Sequence, residues 1–465
     1  MTADVRIERD PLGTMEVPAT ALWGIQTERA RRNFPISGLL PLPGFVDAVV
    51  RIKRAAALAH QALGTLDDER AGAIVRAADE VLAGRHRDQF VVDPYQAGAG
   101  TSHHMNVNEV LANRANELLG TPRGSYAPVH PNDHVNQAQS TNDVIPTAIR
   151  LAVLTAFGGF DESAAALEQS LAERGRAFDG VIKAGRTHLQ DALPIRLGQE
   201  FAAYAGTVAR SRQRLARALD DLRDLGIGGT AVGTGANTEP GYAARVVLQL
   251  RGDTGLALRE GADRVQLMQS MGDVAAFHAM LRVFAADLSK IASDLRLLAS
   301  GPRTGLDEIR LPAVQPGSSI MPGKVNPSIP EMVNQVCLQV LGNDATVSAA
   351  AAHGELELNV MMPVIAHNVL FSLTIFGNAL RVLAERCVAG IEANRAQAAY
   401  WVERSAALAT ALAPVIGYAK AAELAKRSVA EGVLIRDLVA REQLLPPDDL
   451  ARLLDLDRLT REREP

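Results

Sequence analysis

Phe277-His-Ala-Met-Leu281-Arg-Val-Phe284-Ala-Ala-Asp-Leu288-Ser-Lys-Ile291-Ala-Ser-Asp-Leu295-Arg-Leu-Leu298 decides the fold. Its large apolar residues fall alternately four and three apart over three heptads, which puts one continuous stripe on one helix face. Similar patterning runs through 143–174, 196–224, 328–350 and about 358–390. Helices this long with narrow stripes cannot bury themselves against one small core, so they call for an elongated bundle that associates with copies of itself. A chain that is 47% hydrophobic but only 4% aromatic favours helix over sheet. At 465 residues it is too long for one compact core. The expectation is a mainly α protein in three parts. Residues 1–136 form an N-terminal domain, mostly loop with at most short strands up to about 45 and helical after it. Residues 137–393 form the central long-helix bundle. Residues 394–465 form a small C-terminal helical domain broken at Pro414, Gly417, Gly432, Pro446 and Pro447.

Charge and cysteine content narrow the function. A net charge of −5 gives no reason to expect nucleic acid or a membrane surface as partner. Cys337 and Cys387 are the only cysteines, which leaves no disulfide framework and no metal-thiolate cluster. The N-terminus is charged early, no signal peptide is visible, and no apolar segment reads as the eighteen or so residues a membrane span requires. A soluble, cytoplasmic protein follows. No grouping of His, Cys or carboxylates has convincing ligand spacing, so neither metal nor cofactor is expected.

The chemistry concentrates where helical pattern lapses. Gly317-Ser-Ser-Ile-Met-Pro-Gly-Lys-Val-Asn-Pro327 packs two glycines, two prolines, two serines and a lysine into one loop. Its N–H groups and hydroxyls can converge on an anion, with Lys324 adding charge and Asn326 an amide donor. Three further segments are rich in small polar residues: Gly98-Ala-Gly-Thr101-Ser102-His103-His104-Met-Asn106-Val-Asn108-Glu109, Asn136-Gln-Ala-Gln-Ser140-Thr141-Asn142-Asp143, and Gly185-Arg186-Thr187-His188-Leu-Gln190-Asp191. Each reads as a donor cluster just before a helix, where free N–H groups favour an anion. Capping explains such residues singly. Together they suit a small dicarboxylate, and only several chains meeting at one point could gather segments so far apart.

These segments, with Gly228-Gly-Thr-Ala-Val-Gly-Thr-Gly235, stand in the order seen in the fumarase/aspartase superfamily, which the chain resembles over essentially its whole length. The resemblance implies a three-domain subunit and a homotetramer with a helical core, whose active sites are each shared by three subunits. It also implies anti elimination across a C–C bond with fumarate as product. Ser318 maps to the base, acting as an alkoxide that the loop N–H groups must stabilise. Thr101, Ser140 and Thr141 map to donors for the carboxylate that gains charge, Lys324, Asn326 and Ser319 to the loop side of the substrate. Asn142, Thr187 and His188 fall on the leaving-group side, with Glu331 as the residue that orients His188. His130, Asn132 and Asp133 resemble a secondary dicarboxylate site, and read equally as a polar turn before the first bundle helix.

Ammonia or water as leaving group rests on finer features. Gly100-Thr101-Ser102, Gln139-Ser140-Thr141-Asn142-Asp143 and Asn326-Pro-Ser-Ile-Pro-Glu331 look aspartase-like, whereas Val129-His130-Pro-Asn-Asp133 and Ile416-Gly-Tyr-Ala-Lys420 lean to fumarase. The residues nearest the expected site favour elimination of ammonia from aspartate, with dehydration of malate as the alternative and a catalytically idle relative as the weakest reading. His103 and His104 depart from both families, which carry a small hydroxyl residue and an asparagine there. They point either into the pocket or at a subunit interface.

Overall fold

The computed structural model describes residues 4–461. An antiparallel hairpin of β1 (Val5–Asp10) and β2 (Gly13–Pro18) opens the chain, in register from Val5↔Pro18 to Asp10↔Gly13. Helices α1 (Ile25–Asn33), α2 (Pro43–Leu63), α3 (Asp68–Leu82) and α4 (Thr101–Leu118) follow. The long helix α5 (Thr141–Ala177) leads into a second hairpin, β3 (Ile182–Thr187) and β4 (Gln190–Arg196), and then α6 (Leu197–Ala218). After α7 (Tyr242–Thr254) and α8 (Arg264–Gln269) come the long helices α9 (Gly272–Leu298), α10 (Ser328–Ala351) and α11 (Met362–Arg386). Six short helices close the chain: α12 (Arg395–Arg404), α13 (Ala413–Ile416), α14 (Tyr418–Glu431), α15 (Ile435–Arg441), α16 (Pro447–Leu453) and α17 (Leu456–Leu459). The protein is mainly helical, as the periodicity requires.

Two compact units result. One contains the chain up to Asp161 with Gln213–Ala285 and Leu338–Gly377; the other contains Glu162–Arg212, Ala286–Cys337 and the chain from Asn378 onward. The long helices α5, α6, α9, α10 and α11 contribute residues to both. The heptad stripe of α9 is buried throughout. In the first unit Phe160, Phe284 and Phe376 close on one another, with Phe284 and Phe376 centroids 5.0 Å apart, edge to face. In the second, Leu408, Leu412, Leu424, Ile435, Leu438 and Val439 form a small apolar cluster beneath α14 and α15.

Two expectations are corrected here. By length and composition, windows within Thr141–Ala177 and 362–390 are apolar enough to span a bilayer; 72% and 61% of them are buried inside the protein, the mark of core helices. The start of the chain also holds a helix, α1, where loop was expected. Its N-cap Gly24 supplies no side chain. Instead Glu109, on α4, accepts from the N–H groups of Gly24 (2.9 Å), Gln26 (2.9 Å) and Thr27 (3.0 Å) and from the Thr27 hydroxyl (2.6 Å). A Cβ at position 24 would fall 2.9 Å from that carboxylate, so the close approach requires glycine.

On the same helix Arg114 donates to both oxygens of Glu80 from α3, at 2.6 and 3.0 Å, and His86 Nε2 lies 2.9 Å from it. The Arg114 guanidinium holds the Glu80 carboxyl down at about 2 against an ordinary value of 4.5. The pair's stabilisation is therefore complete above pH 4.5 and is lost as pH falls from there to about 2. Glu80→Gln should lower stability by about 1–3 kcal/mol at pH 7. The gap between variant and wild type should close across that acid window, as urea midpoints at pH 7, 4 and 3 would record.

Candidate active site

The first unit contains Thr101, Ser140, Thr141 and Asn142. Ala99 and Gly100 turn the backbone with φ of 60° and 90°, and Thr101 then opens α4 as an exposed residue. The polar run after Thr101, which the sequence places just before a helix, is itself helical, and Ser102 to Glu109 are all buried. His103 and His104 are consequently buried inside the subunit, His103 against a small cavity that Phe45, Gln96 and His367 also line. The His103 ring stacks on Phe45 at 4.9 Å. His104 Nδ1 lies 2.8 Å from Thr141 Oγ1, and its Nε2 lies 2.5 Å from Lys53 Nζ.

Asp143 organises this end. One carboxylate oxygen accepts from Ser140 N at 3.0 Å, the other from Gly228 N at 2.9 Å and Thr230 N at 3.0 Å. Asn142 Nδ2 adds a bond to Ala231 O at 2.8 Å, so the glycine-rich 228–235 loop is fastened to the start of α5. Burial pushes the Asp143 carboxyl up to about 6, against the pull of the three N–H donors. Ser140 Oγ accepts from Asn142 N at 3.2 Å, which is local turn capping.

In the second unit Thr187 and His188 sit at a hairpin tip, not before a helix as expected; α6 begins only after β4. Thr187 pairs with Gln190, so His188 and Leu189 are the two loop residues, with φ of 55° and 60°. Two-residue hairpin turns of this kind ordinarily carry Asn or Gly, and larger side chains there are strained. All of Thr187, His188 and Leu189 are exposed. Beneath them Arg186 Nη1 is 3.0 Å from each oxygen of the fully buried Glu308, which also pairs with Lys183 at 3.2 Å. Lys183 in turn donates to Glu200 at 2.9 Å. The strained tip thus stands on a buried ion network. Leu189→Gly should relieve the left-handed backbone and raise stability by about 0.5–1 kcal/mol; an unchanged or lower urea midpoint would count against strain at this turn.

The 317–327 loop is closed by Gly317 N donating to Lys324 O at 2.8 Å and Asn326 Nδ2 donating to Gly317 O at 2.7 Å. A Cβ at Gly317 would meet Lys324 O at 2.6 Å, so only glycine fits. Ser318 Oγ accepts from Ile320 N at 3.3 Å and Met321 N at 3.0 Å. Ser319 and Lys324 are exposed. Asn326 spends its amide on closing the loop in this conformation. Glu331 lies in the first turn of α10, and among the described residues no hydrogen bond joins it to His188. His130 Nδ1 accepts from Asn132 N and Asp133 N, both at 3.2 Å, and so caps the short turn Pro131–Val135.

The sequence reading missed Lys53, which looks like one more charge in the run Arg51-Ile-Lys53-Arg54 yet is fully buried. It also missed the Lys183–Glu308–Arg186 network, whose members are far apart in the chain. A third arrangement is not a site. Ser372 Oγ, His278 Nε2, His278 Nδ1 and Asp344 line up through bonds of 2.9 Å, but Ser372 and His278 are completely buried, without the access a nucleophile needs.

The lyase family profile matches residues 13–342 and the fumarase C C-terminal profile residues 408–461. An aspartate ammonia-lyase from a Bacillus species is 47% identical over 455 residues, spanning 98% of this chain and 97% of its own. A class II fumarate hydratase from Halobacterium salinarum is 50% identical over 465 residues, spanning 99% and 98%. The crystal structure of fumarate lyase:delta crystallin from Brucella melitensis superposes with a TM-score of 0.95 at 48% identity, covering 99% of this chain and 100% of that one. A class II fumarase from Schistosoma mansoni gives 0.95 at 34% identity, covering 98% and 99%. The chain belongs to the fumarase/aspartase family of lyases.

Proposed function

We propose that the protein is an aspartate ammonia-lyase, converting L-aspartate reversibly to fumarate and ammonia. The proton on the carbon beside a carboxylate is very weakly acidic, so its removal needs a strong base and stabilisation of the doubly charged aci-carboxylate as it forms. Ser318 is the base in this reading, and the observation that carries it is the pair of loop N–H groups already directed at its oxygen. Those donors favour an alkoxide over a hydroxyl. Thr101, Ser140 and Thr141 then take the carboxylate that gains charge, and Lys324 holds the other. With both ends fixed, the C–N bond stands anti to the C–H bond. The abstracted proton goes to Ser318, its electron pair passes through the aci-carboxylate into the new C=C bond, and the amine leaves towards Asn142, Thr187 and His188.

Aspartase-like forms at the residues nearest the site, above all Thr141 within Gln139-Ser140-Thr141-Asn142-Asp143, favour ammonia over water. Fumarase-like forms around His130 support the second reading, hydration of fumarate. Assembly is part of the proposal: we infer a homotetramer in which three subunits complete each site. Along α10 an exposed stripe of Leu338, Leu341, Gly342, Ala345 and Ala349 is apolar and turns small at Gly342, Ala345 and Ala349, which suits a helix packing closely against a copy of itself.

Appearance of the fumarate absorbance band, with aspartate and malate offered separately, tests the substrate. Turnover of aspartate is expected; turnover of malate alone moves the assignment to fumarate hydratase, and turnover of neither marks an idle relative. Ser318→Ala should leave KM nearly unchanged and lower kcat by about 10²- to 10⁴-fold or more. Lys324→Ala, which removes a charge-assisted bond present in ground and transition states, should raise KM about 10- to 100-fold. A Ser318→Ala variant with near-normal kcat would make the loop a lid and leave the base to be found elsewhere.

A further inference from the structure

Three side chains run in line behind the proposed carboxylate site. Lys53 Nζ touches Asn136 Oδ1 at 2.8 Å, Gln139 Oε1 at 2.9 Å and His104 Nε2 at 2.5 Å. His104 Nδ1 reaches Thr141 Oγ1 at 2.8 Å. Lys53 and His104 are 0% and 1% exposed, whereas Thr141 is only half-buried. The chain therefore begins in the interior and ends where a ligand can approach.

We propose that Lys53 and His104 are positioning residues that set the direction of the Thr141 hydroxyl. The inference rests on the reading of Thr141 as a carboxylate donor. Two of the three Lys53 contacts are amide oxygens, which only accept, so two of its protons are committed. As an ammonium, Lys53 gives its third proton to His104 Nε2. His104 is then held as the Nδ1–H tautomer, and that N–H donates to Thr141 Oγ1. The threonine oxygen is satisfied from behind, and its own proton must point outward, where a carboxylate accepts it.

The reverse arrangement is equally well defined. If each proton moves one place along the chain and one leaves to solvent from Thr141, Lys53 becomes an amine that accepts from His104 Nε2–H. His104 Nδ1 then accepts from Thr141, which presents only lone pairs to the carboxylate. Burial lowers the Lys53 pKa well below the ordinary lysine value, opposed by the field of Asp143 from α5. The other titratable groups around the chain stay neutral. Burial holds His103 on α4 at about 4, lowers His104, and raises Tyr242 on α7. Carboxylate binding should therefore weaken as pH rises through the point at which this one group loses its proton.

Neutron diffraction at neutral pH tests the arrangement directly. A deuteron on His104 Nδ1 and none on Nε2 is expected; a deuteron on Nε2 overturns the proposal. Kinetics on whichever substrate the enzyme turns over tests its purpose. Thr141→Val should raise KM about 10- to 100-fold, the effect of losing a hydrogen bond to a charged group. His104→Phe should raise KM comparably with kcat within a few fold, and His104→Gln, which keeps an N–H donor, should recover part of the loss. In the Thr141→Val background His104→Phe should add nothing. If it adds its full effect there, His104 does not act through Thr141. Lys53→Met should remove the rise in KM with pH that is expected of the wild type, and a rise that persists contradicts the role given to Lys53. An unchanged KM in Thr141→Val overturns the carboxylate reading of Thr141 itself, whatever the neutron map shows.

Discussion

Asp143 buries a carboxylate and satisfies it with three backbone N–H groups, one from Ser140 and two from a loop that begins 85 residues later. An unpaired carboxylate in that position would be prohibitively costly, so the start of α5 and the 228–235 loop cannot separate without leaving a charge stranded. Glu109 does the same between α4 and the start of α1. Both acidic side chains act as hubs, gathering donors from segments that local propensity would leave independent. The donor-rich end of the first unit exists because these carboxylates demand partners.

What the sequence revealed follows from how far apart the interacting residues lie. The stripe of α9 is a local pattern, so its burial and the lengths of α5, α10 and α11 could be read within a few residues. The helix α4 could not. Its polar residues look like loop because they bond outside the helix: Asn106 to Val91 and Gln89, Asn113 to Leu22, and Asn116 to Val129. Such a helix loses the amphipathic period that announces helices. For α1 the cap arrives from another helix, and for β3 and β4 the turn residues His188 and Leu189 are not turn formers. In each case local signals pointed away from a structure that distant contacts impose.

The motifs were read from a different signal. Ser140, Thr141, Asn142, Thr187, His188, Ser318 and Lys324 were picked out because short strings of small polar residues are costly to place in helices. Several of these strings adjoin left-handed residues other than glycine: Ala99, Ala138, His188 with Leu189, and Thr230. Such conformations cost of order 1–3 kcal/mol each and persist where surrounding contacts over-determine them. Here those contacts are identifiable: the Ala99 N–H bond to Val360 O, Asp143 under Thr230, and the Arg186–Glu308–Lys183 network under His188. Lys53 escaped notice because a lysine in a basic run gives no sign of being buried.

Strain and buried charge at three places in one chain make sense if those places work on one substrate. The central claim is that Thr187 and Ser318 of a working site come from different copies of the chain. Mixing dissociated Thr187→Ala and Ser318→Ala subunits and allowing them to reassociate tests it. Each variant alone should be nearly inactive, and the mixture should regain part of the wild-type lyase rate, from sites that draw both intact residues from different partners. A mixture that stays as inactive as its components, while light scattering shows full reassembly, would contradict the shared site.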